Sequence, residues 1–487
     1  MNADVVVVGA GLGGLSAAMI LASRGWSVVV VDAATVPGGK AGVVELDGVR
    51  VDTGPSLLTL VDVVDGAFQA ADASLRDEVE LCVPEGGFEV RFPDAGFVLG
   101  HGLEGALAGI EAGLGRSAGD QAARFLLRSR EIWEEVAPAF VLGEAPRALS
   151  LARLGPRNWM RLLRADPFRT MWTAICAEVD DPHLRALFAR FATYNGSDPR
   201  QAPATLNCIA WVELGLGAFG VRGGVFELVE ALVRVGARHG VQHVSGAAVQ
   251  AIEHGREGVS GVRLADGRQI TARAVVCNAE VRHLAEDLLP GAVEVPGDPS
   301  TSGWTGVLRV PRGARSGHGV LFNARYQQEF EDLFDARRCP VDPTVYVCAP
   351  EKAHAIAGWS DEEPLFVMIN APADRAGPAD AAAVAPSRRR ALERLVQAGW
   401  VPAGVPVVWE RTPRELASRF PGSGGALYGA ASNSRFAAFQ RPDVVTRVPG
   451  LFLASGSAHP GGGIPLVVQS GRLAAGHVHE FLGRGRP

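Results

Sequence analysis

Lysine is all but missing from this chain: of its 47 basic residues only Lys40 and Lys352 are lysines, and the others are arginine. We read that as a compositional bias and not as a functional signal. Set against 53 acidic residues, the basic ones leave a formal charge of −6, so no global positive field invites a polynucleotide and nucleic acid is not an expected partner. Cysteine is scarce as well. Cys82, Cys176, Cys208, Cys277, Cys339 and Cys348 stand apart, with no C-x-x-C pair and no histidine at zinc-finger spacing, so neither a disulfide framework nor a metal site is expected. Long apolar runs are lacking too: the uncharged stretch 5–23 is interrupted by glycines and preceded by Asp4, where a signal peptide would carry a basic residue. An unprocessed cytoplasmic protein is the expectation. There is no internal repeat and no heptad array. The remaining composition is globular, 47% hydrophobic and 21% charged over 487 residues, long enough for two or three domains.

Order begins at the first residues. Val5 to Val8 is a short β-branched run, Gly9-Ala10-Gly11-Leu12-Gly13-Gly14 follows, and Leu15, Ala18, Leu21 and Ala22 repeat at helical spacing. A second run, Val28 to Val31, ends in Asp32, near the separation of about 20 residues at which an acid meets a ribose in a Rossmann unit. The glycines matter because a side chain at Gly9 or Gly11 would bar a pyrophosphate from the amides of the helix N-terminus. Asp32 alone serves NAD and FAD equally. Pro37-Gly38-Gly39-Lys40-Ala41-Gly42 then places a turn and a cation suited to holding a diphosphate from a second side, and Asp52-Thr53-Gly54-Pro55-Ser56 adds another glycine turn.

Further along, residues 106–172 read mainly as helical and 196–203 as a loop broken by Pro199 and Pro203. Val225, Leu228, Val229, Leu232 and Val233 predict a helix ended by Gly240. Residues 259–264 and 268–272 flank an Asp266-Gly267 hairpin turn, and 274–277 reads as a separate buried strand. From 290 to 420, aromatic-bearing strands mix with an Arg-rich helix around 387–398, while 373–386 reads as a surface loop. The chain closes with a strand at 451–454, a Gly- and Pro-rich turn from Gly456 to Pro465, and a helix over 466–481.

These turns, together with Ala458-His459-Pro460-Gly461-Gly462-Gly463-Ile464-Pro465, resemble the FAD-dependent carotenoid desaturases related to bacterial phytoene desaturase. Phe191-Ala192-Thr193-Tyr194, the run from Pro343 to Ala349, and Arg419-Phe420-Pro421-Gly422-Ser423 with Leu427-Tyr428-Gly429 are most similar to the 1-hydroxycarotenoid 3,4-desaturases, also called methoxyneurosporene dehydrogenases. The resemblance covers essentially the whole chain. It implies an α/β fold in which a Rossmann-type FAD-binding domain carries an inserted α+β substrate domain, as in amine oxidase and phytoene desaturase-like flavoproteins. FAD-binding segments would span 1–100, 216–290 and 426–487, a helical substrate and membrane-facing segment 101–215, and a second substrate segment 291–425. Gly9, Gly11, Gly13 and Gly14, with Ala10 among them, would face the pyrophosphate, Asp32 the adenosine ribose, and Gly39 and Lys40 the phosphate or ribityl side. Gly54 and Pro55 would approach the isoalloxazine, Val249 the adenine edge, Asn278 and Ala279 the dinucleotide, and Gly456, Gly463, Ile464 and Pro465 the flavin. Two positions depart from the family pattern: Asp32 stands where Glu is commoner, and Ser457 where an Asp often follows Gly456.

The implied activity is oxidation of a C–C bond of an acyclic carotenoid to C=C with FAD as hydride acceptor, at the 3,4 position of a 1-hydroxy or 1-methoxy carotenoid. Oxygen or a membrane quinone is the implied electron acceptor. Trp211, Phe219, Trp304, Phe322 and Tyr346 are candidate walls of an apolar tunnel, and Tyr194, Asn195 and His459 are candidates to meet a substrate hydroxyl or the lost proton. A lipid-soluble substrate also points to a membrane. Arg147, Arg153, Arg157, Arg161, Arg164 and Arg169, interleaved with Leu151, Leu154, Trp159, Met160, Leu162, Leu163, Phe168, Met171 and Trp172, suit a helix on an anionic surface. The expected location is therefore cytoplasmic and peripheral on the inner face of the cell membrane. Rival readings are a phytoene or carotene desaturase of broader step range, a small-molecule amine oxidase, and a non-catalytic FAD- or carotenoid-binding protein.

Overall fold

Strand β1 (Asn2–Val8), helix α1 (Leu12–Ser23) and strand β2 (Val28–Val31) form the βαβ unit that the glycine turn predicts. The computed structural model describes residues 1–145, 164–295, 297–313 and 315–484. Val5 to Val8 and all of β2 are buried because both faces of this sheet are covered, which is why they read as unbroken valine instead of an alternation. Here β2, β1, Gln269–Cys277 and Leu451–Leu453 run parallel, and Gln242–Val244 flanks β2 in the same direction. α1, Phe226–Arg238 and the closing helix Ile464–Gly483 cover one face through Leu15, Met19, Leu228, Leu232 and Val468. Ile252, Val262, Leu284 and Leu288 cover the other.

The hairpin turn at Asp266-Gly267 stands where the sequence puts it, with the Asp266 carboxylate accepting the Arg268 N–H at 3.0 Å. Its second arm does not stop at Ala272. Gln269–Cys277 is one strand, because from Thr271 to Cys277 it pairs with β1 while its first residues also pair with Gly258–Leu264.

A second, mixed sheet has the strand order Val407–Arg411, Ser302–Pro311, Glu362–Ala371, Val345–Cys348, His318–Leu321, Phe88–Arg91 and Gly96–Leu99. The first chain segment therefore leaves the dinucleotide sheet before residue 100: Phe88–Arg91 lies parallel to His318–Leu321 in the second sheet. The stretch 373–386 is likewise not all loop. Asp380 caps helix Ala381–Gln397 by accepting the Ala383 N–H at 3.0 Å, and Pro386, near the helix start, removes only one early rung of its hydrogen-bond ladder. Helices Gly102–Leu114, Arg116–Val136, Met171–Glu178 and Pro182–Ala189 pack around Phe125 and Phe188, whose stacked rings lie 4.1 Å apart.

Strand Val49–Asp52 is tied to the first sheet's helical layer by Asp52, whose carboxylate accepts the Val225 N–H at 2.6 Å and the Phe226 N–H at 3.1 Å. Burial, opposed by those two amides, pushes its pKa up from 3.8 to about 7. The folded state thus holds a proton that the unfolded chain releases, and the stability this contributes at low pH is lost as pH rises through about 7. Wild type should lose stability relative to Asp52→Asn between about pH 4 and pH 7, read by denaturant unfolding across that range. Parallel stability profiles would contradict the assignment.

Candidate active site

The carboxyl ends of the parallel strands converge on one side chain, that of Asn278. Its backbone N–H donates to Val8 O at 2.8 Å, its Oδ1 accepts the Gly11 N–H at 3.0 Å, and its Nδ2 donates to Ala454 O. The ends of β1, Gln269–Cys277 and Leu451–Leu453 are thereby joined to the glycine turn. A Cβ on Gly11 would lie 2.5 Å from Asn278 Oδ1, and Gly9 turns the chain at φ +102°. α1 begins with no side-chain cap and no acid in its first turn, so its amides present an uncompensated positive end where Gly9, Gly11 and Leu12 line a cavity. Beside it the Asp32 carboxylate accepts the Ala10 and Ala34 N–H groups, each at 2.6 Å. An uncapped helix start, a glycine-cleared approach and an acid at the end of β2 fit the diphosphate and ribose of FAD.

The cavity has a volume of about 1050 Å³. Of the positions singled out from the sequence, Gly9, Gly11, Asp32, Gly39, Lys40, Gly54, Pro55, Val249, Asn278, Ala279, Gly456, Gly463, Ile464 and Pro465 line it, as do Tyr194, Asn195 and His459. Ala10, Gly13 and Gly14 do not. Gly13 and Gly14 are packing glycines: a Cβ on the first would lie 2.3 Å from Ala454 O, and on the second 2.2 Å from Gly9 O. Lys40 reaches the cavity wall, but its ammonium donates to Glu280 Oε1 at 2.6 Å, Ala426 O at 2.9 Å and Leu427 O at 3.1 Å. All three of its protons are engaged, so its place is that of a tie between chain segments and not of a phosphate ligand. Ser457 is outside the cavity lining; its hydroxyl accepts the Val281 N–H at 3.0 Å.

The second sheet supplies the opposite wall, and strand parity decides which residues it offers. Gly303 and Thr305 line the cavity, and so do Thr344 and Tyr346, and Phe366, Met368 and Asn370. The alternate residues Trp304, Val345, Leu365, Val367 and Ile369 face the core under helix Ala381–Gln397. Of the five aromatic wall candidates only Tyr346 is at the cavity. Trp304 is on the wrong face, its indole N–H donating to Glu410 at 2.9 Å, and Phe322 stacks on Phe92 with ring centroids 4.5 Å apart. Trp211 and Phe219 are not part of the wall either.

Two charged groups the sequence did not single out meet Tyr194 here. Arg190 donates from Nη2 to Glu213 Oε1 at 2.8 Å and from Nη1 to the Tyr194 hydroxyl at 3.0 Å, and that hydroxyl donates to Glu213 Oε2. The guanidinium also lies over the rings of Phe88 and Phe191, at 5.0 and 4.9 Å. Each charge was visible as a lone ion in an apolar run, Arg190 within Leu187-Phe188-Ala189-Arg190-Phe191-Ala192 and Glu213 within Ala210-Trp211-Val212-Glu213-Leu214. Tyr326 joins them at the cavity wall.

The candidate proton-transfer residues have defined partners. Burial pushes the Tyr194 phenol far above its usual range, and its proton is held by Glu213, so it does not serve as a base. Asn195 Oδ1 accepts from Ser432 Oγ at 3.1 Å and Ser197 Oγ at 3.3 Å, which makes Asn195 a fastener of two loops. His459 Nε2 donates to Gly143 O at 3.0 Å, which leaves Nδ1 as the lone-pair nitrogen of a ring that burial keeps neutral. Among the described residues no cluster of metal-ligating side chains occurs.

Comparison with known proteins agrees with this geometry. Residues 12–479 match the family described as flavin containing amine oxidoreductase. The chain is 36% identical over 489 residues to hydroxyneurosporene desaturase of Rubrivivax gelatinosus, covering 97% of this chain and 92% of that protein. It is 32% identical to hydroxyneurosporene desaturase of Rhodobacter capsulatus, covering 97% of each. Among solved structures, cyclohexylamine oxidase from Brevibacterium oxydans superposes with a TM-score of 0.62 at 18% identity over 99% of this chain and 100% of that one, a likeness of fold.

Because Lys40 joins segments of the protein itself, Lys40→Met should lower the melting temperature of the FAD-free protein by several degrees, leaving Glu280 short of its partner. A variant whose apoprotein melts like wild type and which loses only FAD affinity would return Lys40 to the phosphate role.

Proposed function

The chain belongs to the flavin containing amine oxidoreductase family and, within it, to the FAD-dependent carotenoid desaturases, and from that premise we propose that it desaturates an acyclic carotenoid bearing a 1-hydroxy or 1-methoxy end, at the 3,4 position. The observation that carries this reading is that one continuous cavity joins the glycine turn to an apolar wall of Trp133, Val136, Ile209, Val212, Phe366 and Met368. The α1 N-terminus, Asp32, Gly54 and the turn from Gly456 to Pro465 would hold FAD, which would supply a hydride acceptor for oxidation of a C–C bond to C=C, the second hydrogen leaving as a proton. The protein's own part is positional: Met368, Thr305 and Tyr346, neighbours across three paired strands, present one wall to the polyene. Apolar side chains around them exclude water. The neutral His459 ring, at the cavity wall, is the group suited to take the lost proton. Oxygen or a membrane quinone takes the electrons onward. Supporting the oxygenated substrate, three relatives more than 30% identical are named for hydroxyneurosporene.

Peripheral attachment to the inner face of the cell membrane belongs to the same proposal. Phe168 and Phe436 line the cavity yet are 67% and 59% exposed, an apolar rim through which a lipid-soluble substrate passes. Of the arginines in the basic stretch, Arg147, Arg153, Arg157 and Arg161 lie outside the described residues, as do Leu151, Leu154, Trp159, Met160, Leu162 and Leu163. Arg169 is paired with Asp166 at 2.6 Å. Among the described residues no helix is long and apolar enough to cross a membrane.

Anaerobic FAD-loaded enzyme in liposomes should bleach and yield a red-shifted polyene with 1-hydroxyneurosporene. Bleaching with phytoene instead would move the reading to general carotene desaturation, and bleaching with neither, but with an amine, would overturn it. Liposome binding should need anionic lipid, weaken as salt rises, and fall about tenfold in Phe168→Ser/Phe436→Ser; unchanged, salt-independent binding would refute the membrane attachment.

A further inference from the structure

Three residues of the cavity wall each hold a buried polar atom without a hydrogen-bond partner among the described residues: Arg190 (Nε), Tyr326 (hydroxyl) and Thr344 (Oγ1). They are only 5%, 7% and 7% exposed. Buried donors are rarely left unpaired, and three on one cavity wall mark a place where something else accepts from them. Thr344 adjoins the paired residues Val345 and Ile369, so it lies across from Asn370, which also lines the cavity. Asn370 is oriented by donating Nδ2 to Glu329 Oε1 at 2.9 Å, leaving its Oδ1 as an acceptor. Arg190 and Tyr326 are close enough to bias each other electrostatically.

Charge narrows the ligand. Arg190 is already matched by Glu213 at 2.8 Å, each side chain being 5% exposed or less, so the guanidinium brings no unmatched positive charge to draw a carboxylate or a phosphate. These groups in an apolar surround suit a neutral hydroxyl, whose oxygen accepts from two of the donors and whose proton reaches Asn370 Oδ1, or an ether oxygen that accepts from two donors. We infer that Arg190, Tyr326 and Thr344, with Asn370, form the subsite that holds the terminal hydroxyl or methoxy oxygen of the polyene, and that this subsite sets the choice between oxygenated and plain carotenoids. This rests on the carotenoid reading above. A hydrocarbon end placed here leaves the donors unpaired, which is the arrangement that discriminates most strongly against a substrate lacking the oxygen.

The test compares kcat/KM of the FAD-loaded full chain in liposomes for 1-hydroxyneurosporene and for neurosporene. Wild type should prefer the hydroxylated carotenoid by about 100-fold or more. Tyr326→Phe and Thr344→Val, which remove only a hydroxyl function, should each cut kcat/KM for the hydroxylated carotenoid by about tenfold and leave the hydrocarbon unchanged or improved. Equal losses on both carotenoids would show a purely structural role and overturn the subsite, as would an unaltered ratio in the variants. If Tyr326→Phe fails to fold, Thr344→Val gives the same reading alone. Wild type that oxidises both carotenoids alike removes the subsite and leaves desaturation standing. Wild type that oxidises neither removes the carotenoid reading and the subsite with it.

Discussion

Everything at the cofactor end of the molecule depends on one asparagine. Asn278 uses its backbone N–H, its carbonyl oxygen and its amide nitrogen on three different chain segments, and no apolar or charged side chain of that size offers both a donor and an acceptor so placed. The glycine turn is fixed by being tied to the ends of two strands that follow it by hundreds of residues. With the turn so held, the start of α1 stays bare of any side-chain cap, and its dipole is left for a ligand to satisfy.

The opposite wall obeys a simpler constraint. A strand offers every second residue to each face, so once helix Ala381–Gln397 claims Leu365, Val367 and Ile369, the cavity receives Phe366, Met368 and Asn370. The two sheets thus divide the work: the first presents backbone amides and short turns, the second presents side chains. Variation in substrate among proteins of this fold is free to act on the second sheet without touching the first.

Legibility from the sequence followed the same division. The βαβ unit, Asp32 and most of the glycine turns were readable because they are local: strand, turn and helix signals lie within a few residues of one another. The lining by Val249, Asn278 and the turn at Gly456 to Pro465 came from family likeness, since no local pattern links those positions to residue 9. Lys40 was read as a phosphate-side cation because it follows a glycine turn, while its three acceptors, Glu280, Ala426 and Leu427, lie far along the chain. Trp304, within a strand, and Phe322, just past one, were misread because an aromatic residue there declares burial but not which face is buried. Arg190 and Glu213 left a trace as isolated charges in apolar runs, yet their meeting is a tertiary fact that spacing does not encode. The boundary near residue 100 was missed for a similar reason, since strands Phe88–Arg91 and Gly96–Leu99 find their sheet only through His318–Leu321.

The route of the chain through the first sheet has a consequence for synthesis on the ribosome. β1 pairs with Gln269–Cys277, that strand pairs with Leu451–Leu453, and α1 packs against the closing helix Ile464–Gly483. β1 is therefore completed only by segments that lie hundreds of residues further along the chain. Until helix Ile464–Gly483 has emerged, the nascent chain exposes the edge of Gln269–Cys277 that Leu451–Leu453 later covers and the side of α1 that Phe226–Arg238 leaves bare.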